Sequence, residues 1–509
     1  MGNSPFDRFE IIVLGGGPAG SAAARLLAMW GHDVAVLPGA GAHRKNLAES
    51  LPPSCRKPLN VLGLNTAVES AGFLQTHGNS AAWAGGALVS SPFTSGTGFQ
   101  VQRSRFDALM MRSAAAAGAS VHEDAVADSV TRVADGGFEV RWHGRGRART
   151  SRANMVLDCT GRAGILARKY RCPANGPSTL AVVAAWRMTD HRPLEDPTHT
   201  LVESYAAGWA WSVPVDSRTR HVAVMIDPAV TPMRRRSLLA TYLAEIARTR
   251  FTASLLDGAR RLGRPYGCAA TPYESSAYGG DGFLLVGDAA SFIDPLSSFG
   301  VKKSLASGWL AAVVAHTTLD DPTMAGPALD LFEERERLAY ESYTARSSDF
   351  HGQAARHHDT AFWQRRASAS RGSDAPLVPA GENANEGLDY GVSWPAGDPR
   401  LASAFEFIRQ APQLRLRLGP AVERVKKPTV AGRRVVFEEH LTSRAAPGAV
   451  RYLGAIELPR LLELAPRYSQ IPELYEAYSR GSSPAPLPDF LRALSALLAF
   501  GMLEPSAST

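Results

Sequence analysis

The sequence predicts an α/β fold in which a parallel, helix-covered sheet receives an inserted antiparallel sheet and is followed by a mostly helical segment. Three observations predict it. An apolar strand, a glycine-rich turn and a helix open the chain at residues 11–27, and four short strand-like runs follow at even spacing between residues 180 and 226. Leucines then recur at helical spacing near residue 491, behind Asp489 as the expected helix cap.

The opening stretch is typical of a dinucleotide-binding turn. The apolar run at residues 11–14 is too short for a helix, and it leads through a GxGxxG pattern into an alanine-rich helix. Gly15 makes the turn, Gly17 lets the backbone approach a pyrophosphate, and Gly20 lets the helix pack closely on the strand. Free N–H groups at the helix start then hold the phosphates, so we expect a Rossmann-like domain.

One expected partner of the dinucleotide is absent. A second strand at residues 33–37 should end in an acid that binds the ribose hydroxyls, yet position 38 is proline. The ribose then has to be held by water, by backbone or by the nearby Arg44 and Lys45. This departure disfavours NAD more than FAD, because later segments supply FAD contacts.

Composition and charge narrow the class of protein. With 45% apolar and 20% charged residues, the 509-residue chain is an ordinary globular protein that can hold two or three domains. Its four cysteines lack CxxC spacing, so we expect no disulfide framework, no metal site and a reducing, cytoplasmic location. We expect no secretion signal and no membrane span, since no apolar run reaches about 18 residues.

The net charge of +7 is spread along the chain without a dense basic block, so we do not expect nucleic acid as a partner. A local excess lies at residues 415–434, where seven cations face a single acid, Glu423. We interpret it as a candidate docking patch for an acidic partner.

Changes of pattern along the chain predict the domains. The FAD-binding domain is expected to be discontinuous, because a buried strand ending in Gly287-Asp288 returns to it after the antiparallel sheet. A polar Gly/Pro/Ser/Ala-rich stretch predicts a linker. The expected domains are FAD-binding (1–175 and 265–366), antiparallel-sheet substrate domain (176–264), linker (367–385) and a C-terminal module (386–509) for substrate or partner binding, with a winged-helix-like arrangement as one option.

Four features occur in the order seen in FAD monooxygenases and flavin-dependent halogenases: the GxGxxG turn, Arg103 before a helix, the Asp158–Arg162 turn, and Gly287-Asp288. Two further motifs point to the halogenases. Residues 208–214 (GWAWSVP) are similar to the WxWxIP motif, with valine for isoleucine, and residues 292–300 (FIDPLSSFG) fit FxxPxxSxG in full. Over about residues 9–366 the chain therefore resembles the flavin-dependent halogenases.

The resemblance implies a site for FAD. Asp288 would accept a hydrogen bond from the ribityl chain, Arg103 would lie near the phosphates, and residues 295–300 would follow the isoalloxazine ring. Electrons would come from NAD(P)H directly or from a flavin reductase, and O2 would be the oxidant, since no second GxGxxG unit is evident. The expected FAD contacts are Gly15, Gly17, Pro18, Ala19, Gly20, Arg44, Arg103, Gly287, Asp288, Pro295, Ser298, Phe299 and Gly300.

The chain departs from the halogenase pattern at the position that matters for halogenation. Halogenases carry a lysine in a Gly-Phe-x-x-Lys context, which here reads Gly72 to His77 without a lysine, and no lysine occurs between Lys57 and Lys169. The acid of the tryptophan halogenases is replaced by Ser297. A chloride seat formed by the N–H groups of Phe299 and Gly300 stays possible, since an N–H needs no particular side chain.

These departures favour hydroxylation. The expected function is that of an FAD-dependent monooxygenase that uses a flavin C4a-hydroperoxide to hydroxylate an indole, tryptophan or phenol ring, free or linked to a peptide, protein or carrier. Halogenase-like monooxygenases of this type include one that modifies a protein-bound tryptophan during cysteine tryptophylquinone biogenesis. The alternatives are a halogenase with a relocated lysine, a flavin reductase of the prenyl-reducing type, and a non-catalytic scaffold.

Several side chains are candidates for the reaction. In the family the tryptophan pair separates flavin from substrate, although two tryptophans on one strand are also ordinary core. Glu49 lies in segment 47–53, which we predict to be a loop because of its two prolines. Lys302 and Lys303 are cations in the first turn of a helix, where they oppose the helix dipole. Three roles stay open for them: they offset the negative charge of reduced flavin, they bind an anionic substrate group, or they point to solvent. The catalytic candidates are Glu49, His77, Trp83, Trp209, Trp211 and Lys302, with Glu203 and Tyr205 also expected near the ring.

Overall fold

The computed structural model describes residues 7–39, 47–173, 176–189, 193–233, 236–369, 398–411, 413–446, 448–454, 456–480 and 486–506. These residues form two compact units. The first comprises the described residues up to 325 together with 332–369, and the second comprises 326–331 and those from 398 onward. None of the described helices is both long and apolar enough to cross a lipid bilayer.

The elements up to residue 369 alternate between strands and helices. In chain order they are β1 (Asp7–Leu14), α1 (Pro18–Met29), β2 (Val34–Leu37), β3 (Ala48–Leu51), α2 (Arg56–Val61), α3 (Asn65–Glu69), β4 (Leu74–Thr76), β5 (Gly78–Ala82), β6 (Val89–Pro92), β7 (Gly98–Gln102), α4 (Arg103–Ala116), β8 (Ser120–Val121), β9 (Val126–Arg132), β10 (Phe138–Gly144), β11 (Arg147–Asp158), β12 (Leu180–Arg187), β13 (Thr200–Tyr205), β14 (Gly208–Pro214), β15 (Thr219–Ile226), α5 (Leu238–Ile246), α6 (Phe251–Leu255), β16 (Arg260–Ala269), β17 (Gly279–Gly280), β18 (Phe283–Leu285), α7 (Gly300–Asp320), α8 (Ala325–His357) and α9 (Ala361–Ala369).

The predicted parallel, Rossmann-like sheet is confirmed. Its strand order is β17-β18-β11-β1-β2-β8, with β10 and β9 added through the first half of β11. β1 pairs in parallel with both β11 and β2, and its residues 11–14 have no solvent exposure. Strands buried on both faces read as continuous apolar runs, which is why this run is apolar throughout.

The predicted antiparallel sheet is also confirmed, with the order β16-β12-β15-β14-β13-β5-β6. Because successive side chains of a strand point to opposite faces, β12 contributes to two cores. Val182 and Ala184 pack on the face that also carries Tyr242 of α5, whereas Ala181 and Val183 pack on the face that also carries Trp363 of α9. Both faces of the sheet are therefore buried.

The predicted loop at residues 47–53 is wrong over residues 48–51. These residues form β3, the edge of a three-stranded sheet of order β3-β7-β4. Proline is tolerated at strand ends, so the prolines at positions 52 and 53 end the strand and do not prevent it. Glu49 consequently lies on a strand, opposite Val101.

The second unit is a small mixed fold. Its elements after residue 398 are α10 (Pro399–Gln410), β19 (Leu416–Leu418), β20 (Glu423–Ala431), β21 (Arg434–Thr442), β22 (Tyr452–Leu453), β23 (Ile456–Glu457), α11 (Leu458–Leu464), α12 (Ile471–Ser479), α13 (Leu487–Ala499) and β24 (Leu503–Pro505). The amphipathic pattern predicted α13 correctly, and its buried face joins one core with α10 and α11. The cap prediction is wrong, because Pro486 is the N-cap and Asp489 lies in the first turn.

The basic stretch 415–434 has acidic partners that a reading along the sequence does not reveal. Arg417 pairs with Glu504 at 3.1 Å, and Arg424 pairs with Glu439 at 2.7 Å. Lys426 and Lys427 stand opposite Glu439 and Glu438 in the β20–β21 hairpin. In the folded protein the cations of this stretch therefore face several acidic side chains, and the expectation of a single acid is wrong.

Candidate active site

The glycine turn between β1 and α1 has three different local environments. Gly15 has φ +102°, and a Cβ there would collide with the carbonyl oxygen of Cys159 at the end of β11. A Cβ at Gly20 would collide with the carbonyl oxygen of Gly15. At Gly17 a Cβ would meet no described atom within 4 Å, and the backbone is extended, with φ −81°. Packing thus requires the two outer glycines, whereas Gly17 faces open space that suits an approaching phosphate group.

Arg103 opens α4 and is held by two carboxylates. Its guanidinium donates to Asp107 through Nε at 2.9 Å and Nη2 at 3.1 Å, and to Glu49 through Nη1 at 3.4 Å. Burial lowers the pKa of Arg103, but Asp107 and Glu49 outweigh it and the pKa is raised overall. Arg103 is therefore a fixed cation at this position.

Glu49 is the more unusual member of this group. Burial raises its pKa, the nearby Arg103 opposes that change, and the charge of Asp288 adds to it, so that the pKa of Glu49 is raised overall. The structure thus brings together three residues predicted from separate motifs, Glu49, Arg103 and Asp288. They lie within electrostatic reach of one another, on β3, on α4 and after β18.

Asp288 lies in a 3-10 turn, Gly287–Ala289, that follows β18. Its Oδ1 atom is buried and has no hydrogen-bond partner among the described residues. An unpaired buried carboxylate oxygen is costly, so it indicates a missing donor. A ribityl hydroxyl of FAD is such a donor. Together with the space at Gly17, the residues present therefore fit FAD: the glycine turn would hold the pyrophosphate, and Asp288 the ribityl chain.

The FxxPxxSxG segment forms a tight loop before α7. Residues 295–297 make a 3-10 turn, and Ser298 adopts the left-handed conformation with φ +57°. A Cβ on Gly300, the first residue of α7, would meet no described atom within 4 Å. The N–H of Phe299 donates to the Ser297 hydroxyl at 3.3 Å. One of the two N–H groups expected to seat a chloride therefore already has a partner.

Lys302 and Lys303 are both buried, with exposed fractions of 7% and 1%, so the option that they point to solvent is wrong. Lys303 donates to the carbonyl oxygens of Gly287 at 3.0 Å and Ser291 at 2.8 Å, and thereby supports the turn that carries Asp288. The ammonium of Lys302 lies 5.2 Å from the ring centroid of Phe299. A desolvated cation over an aromatic ring is stabilised by the ring quadrupole.

The tryptophan pair belongs to an aromatic cluster on one face of the antiparallel sheet. We define this cluster as Trp83, Trp209, Trp211, Phe362 and Trp363 with the aliphatic side chains packed on them, which include Leu296 of the FxxPxxSxG loop. The Trp83 and Trp363 rings meet edge to face, with centroids 5.5 Å apart. Predicted substrate residues and the predicted flavin loop thus share one apolar core.

The sequence predicts helix from Asp330 to about Arg366, but it did not reveal that these helices complete the aromatic cluster. Trp363 from α9 donates its indole N–H to the carbonyl oxygen of Tyr205, and Trp83 donates to that of Phe350 on α8, at 2.8 and 3.0 Å. The adjacent Phe362 and Trp363 in an otherwise charged helix were the available signal.

Three candidates lie elsewhere. His77 is exposed between β4 and β5, and its charge acts on Asp196 and His199. Glu203 is buried, but it accepts four hydrogen bonds from residues 250–252 and so caps α6. Tyr205 donates to Glu245 at 3.1 Å on the opposite face of the sheet. Glu203 and Tyr205 thus lie on the face of the sheet opposite the aromatic cluster, and their expected place near the ring has no support from these contacts. Arg44 and Lys45 lie outside the described residues.

Comparisons with known proteins agree with this geometry. Residues 87–376 match the family model described as tryptophan halogenase. The chain is similar to a tryptophan 2-halogenase of Chondromyces crocatus, with 28% identity over 368 residues, 70% of this chain and 70% of that relative.

Two solved structures have the same fold. CmlS, described as a flavin-dependent halogenase, superposes with a TM-score of 0.77 and 21% identity over 98% of this chain and 96% of its own. The peptidyl tryptophan dihydroxylase QhpG superposes with a TM-score of 0.65 and 24% identity over 97% of this chain and 99% of its own. Because the family match spans more than half of the sequence, the chain belongs to the tryptophan halogenase family of flavin-dependent oxidoreductases that act on aromatic substrates.

Proposed function

We propose that this protein is an FAD-dependent monooxygenase that hydroxylates an electron-rich aromatic ring, an indole or a phenol. The observation that carries the proposal is the distribution of its seven lysines. Those that the structure describes lie in α2, in the turn at residues 167–169, at the start of α7 and in the β20–β21 hairpin. None of these described lysines lies on β12, β14, β15, α8 or α9, elements that carry the aromatic cluster, whereas halogenation needs an amine beside the substrate.

The cofactor, once bound and reduced by NAD(P)H or by a flavin reductase, would supply the activated oxygen. The protein would contribute binding, orientation and exclusion of water. Arg103 and the glycine turn would balance the phosphates, and the aromatic cluster would hold the substrate ring beside the FxxPxxSxG loop. Hydroxylation balances as ring C–H, O2, two electrons and two protons giving ring C–OH and water, which requires no halide.

Lys302 favours a second candidate, an aromatic halogenase with a relocated lysine. Its ammonium is buried beside Phe299, directly after the loop that would follow the flavin ring. A buried amine there could direct a hypohalous acid to a substrate on the same side. The names of the relatives also favour halogenation, since the similar Chondromyces crocatus protein is a tryptophan 2-halogenase.

Isotope incorporation distinguishes the two functions. The purified protein, supplied with FAD, a reductase and NADH, is incubated under oxygen-18 with tryptophan, tryptophan-containing peptides or phenols, with and without bromide. We expect a product that carries one labelled oxygen atom, in equal amount with and without bromide. A brominated product that disappears in Lys302→Met but survives in Lys302→Arg would refute the hydroxylase and support the halogenase.

We further propose that the second unit recruits a substrate whose aromatic ring is linked to a peptide, protein or carrier. Support comes from its surface, where Phe405, Phe407 and Phe437 are 40%, 42% and 50% exposed. The peptidyl tryptophan dihydroxylase, which acts on a peptide, shares the fold over 97% of this chain. An enzyme of a small free substrate needs no such surface, whereas remote binding can orient a linked ring.

Kinetics on linked and free substrates test the recruitment. Replacing Phe405 and Phe407 by serine should raise KM for a tryptophan peptide by about tenfold while turnover of free tryptophan is unchanged. Replacing the exposed Leu243 of the first unit by serine is the matched control. If the double variant has parental KM for every peptide tested, the surface does not recruit substrate.

A further inference from the structure

A buried carboxylate–imidazole pair connects the FxxPxxSxG loop to α8. Asp294 precedes the 3-10 turn at residues 295–297, and His351 lies near the end of α8. Their side chains approach to 3.3 Å between Oδ2 and Nε2. The two residues are 7% and 8% exposed, so water contributes little to either group.

Each member of the pair has a second role. The Oδ1 atom of Asp294 accepts a hydrogen bond from the N–H of Leu296 at 2.9 Å, which fixes the shape of the turn. The ring of His351 lies 6.0 Å from the ring of Trp363 in the aromatic cluster, to which Leu296 also belongs. The pair therefore links the conformation of the loop to the position of the cluster.

The other charged groups near the pair have partners of their own. Arg366 acts on Asp294 electrostatically, but its guanidinium donates to the carbonyl oxygen of Ser178 and the hydroxyl of Thr179, at 2.9 and 2.8 Å. It also lies 3.5 Å from Asp227. Burial raises the pKa of Asp294, but the nearby His351, the N–H of Leu296 and Arg366 outweigh it, and the pKa is lowered overall. Asp294 is thus an ionised carboxylate, and the imidazole of His351 lies 3.3 Å from its outer oxygen in an ion-pair contact whose geometry is not that of a hydrogen bond.

We propose that His351 is a positioning residue: through its buried ion-pair contact with Asp294 it holds the loop at residues 295–300 against the aromatic cluster, in the conformation that receives the isoalloxazine ring. The inference rests on the FAD-dependent function proposed above. Losing the imidazole leaves a buried charge without its partner, and the loop then has to rearrange or admit water. Either change alters the surface offered to the cofactor.

Four variants test the proposal through FAD binding, which needs no turnover. His351→Leu removes the imidazole, Asp294→Asn removes the charge, the double variant removes both, and His351→Gln keeps a polar N–H at a similar reach. We expect Kd for FAD, measured by fluorescence titration of the FAD-free protein, to rise about tenfold in each of the first two variants. The double variant should show about the same tenfold loss, because the two groups act as one unit. His351→Gln should stay within about threefold of the parent.

The control variant is His358→Leu. The ring of His358 also lies 6.0 Å from Trp363, but its side chain bonds Ser204. It should leave Kd for FAD within about threefold of the parent, since Asp294 keeps its partner. Thermal unfolding of each FAD-free variant separates a general loss of stability from a specific loss of cofactor binding.

Three outcomes would overturn the proposal: parental FAD affinity in His351→Leu and Asp294→Asn, multiplicative losses in the double variant, or a lowered unfolding temperature with unchanged FAD affinity. If His351→Leu fails to fold, Asp294→Asn and His351→Gln still decide the question. Failure of the proposed hydroxylation would appear separately, as parental enzyme that binds FAD but gives no oxygenated product. With active enzyme, we expect kcat to fall in His351→Leu while KM is retained.

Discussion

Lys303→Met should destabilise the first unit strongly. Methionine retains an unbranched stem of similar length but removes the ammonium. The carbonyl oxygens of Gly287 and Ser291 then lose a donor at 3.0 and 2.8 Å, and Glu336, whose Oε2 lies 4.0 Å from the ammonium, loses its countercharge. Because Lys303 is 1% and Glu336 4% exposed, water cannot readily replace the lost partner.

The expected loss is about 4 kcal/mol. Hydrogen bonds to a charged donor are worth about 1.5–3 kcal/mol each, and removing one member of a buried ion pair costs about 3–5 kcal/mol in total. The two figures describe overlapping interactions, so they are not added. The Lys303→Met/Glu336→Gln double variant removes the stranded charge as well and should recover at least half of the loss.

The loss should also depend on pH. Burial raises the pKa of Glu336 and Lys303 lowers it, so removing Lys303 raises the folded-state pKa further above the unfolded value. Between these two values the folded state binds more protons than the unfolded state, and stability falls as pH rises. The deficit of Lys303→Met should therefore be larger at about pH 8 than at about pH 5.

Urea unfolding of the FAD-free protein measures these differences. Tryptophan fluorescence reports mainly on the first unit, because eight of the nine tryptophans precede residue 370. A deficit below about 1 kcal/mol at pH 8 would refute the reasoning, since it would mean that the buried ammonium is not a partner of Glu336. So would a double variant that is no more stable than Lys303→Met.

Two further predictions concern the cofactor turn and acid stability. Gly17→Val should fold with parental stability yet bind FAD at least about 100-fold more weakly, because the extended backbone accepts valine and the side chain fills the pyrophosphate space. Circular dichroism would report the folding and flavin fluorescence the binding. Gly20→Val should instead fail to fold, and normal FAD occupancy in Gly17→Val would contradict the site. Burial lowers the pKa of His221 to about 4 from 6.5, so folding favours the neutral imidazole. Its contribution to stability is present above pH 6.5 and is lost as pH falls toward 4, about 3 kcal/mol in all. In His221→Leu the urea midpoint should depend less on pH over that range, and an unchanged pH dependence would show that His221 is not the group responsible.

Local patterns predicted the parts of the fold that depend on neighbours in sequence. The opening strand, turn and helix were predicted correctly, because short apolar runs, glycine and alanine influence the backbone conformation within a few residues. The strands around residues 180–226 were correct for the same reason. The expected FAD residues that the structure describes remain predictions, supported by the open space at Gly17 and the unpaired oxygen of Asp288.

Errors arose where a distant partner decides the outcome. Strand β3 forms because β7, some 50 residues later, offers it hydrogen bonds, and local prolines carry no record of that. The role of Glu203 as a cap of α6 could not be read from the sequence, because β13 is buried on both faces and its residue pattern does not tell the two faces apart. Lys303 was given a solvent option because its carbonyl partners are 12 and 16 residues away.

The double burial of the antiparallel sheet has a practical consequence for changing the substrate range of the enzyme. On β12, β14 and β15 the residues facing the aromatic cluster are all odd-numbered, whereas those facing α5 are even-numbered. A library built on these three strands can therefore sample the wall of the proposed substrate site while leaving the supporting core intact, simply by varying every second codon. The odd-numbered positions in question are Ala181, Val183, Trp209, Trp211, Ala223 and Met225.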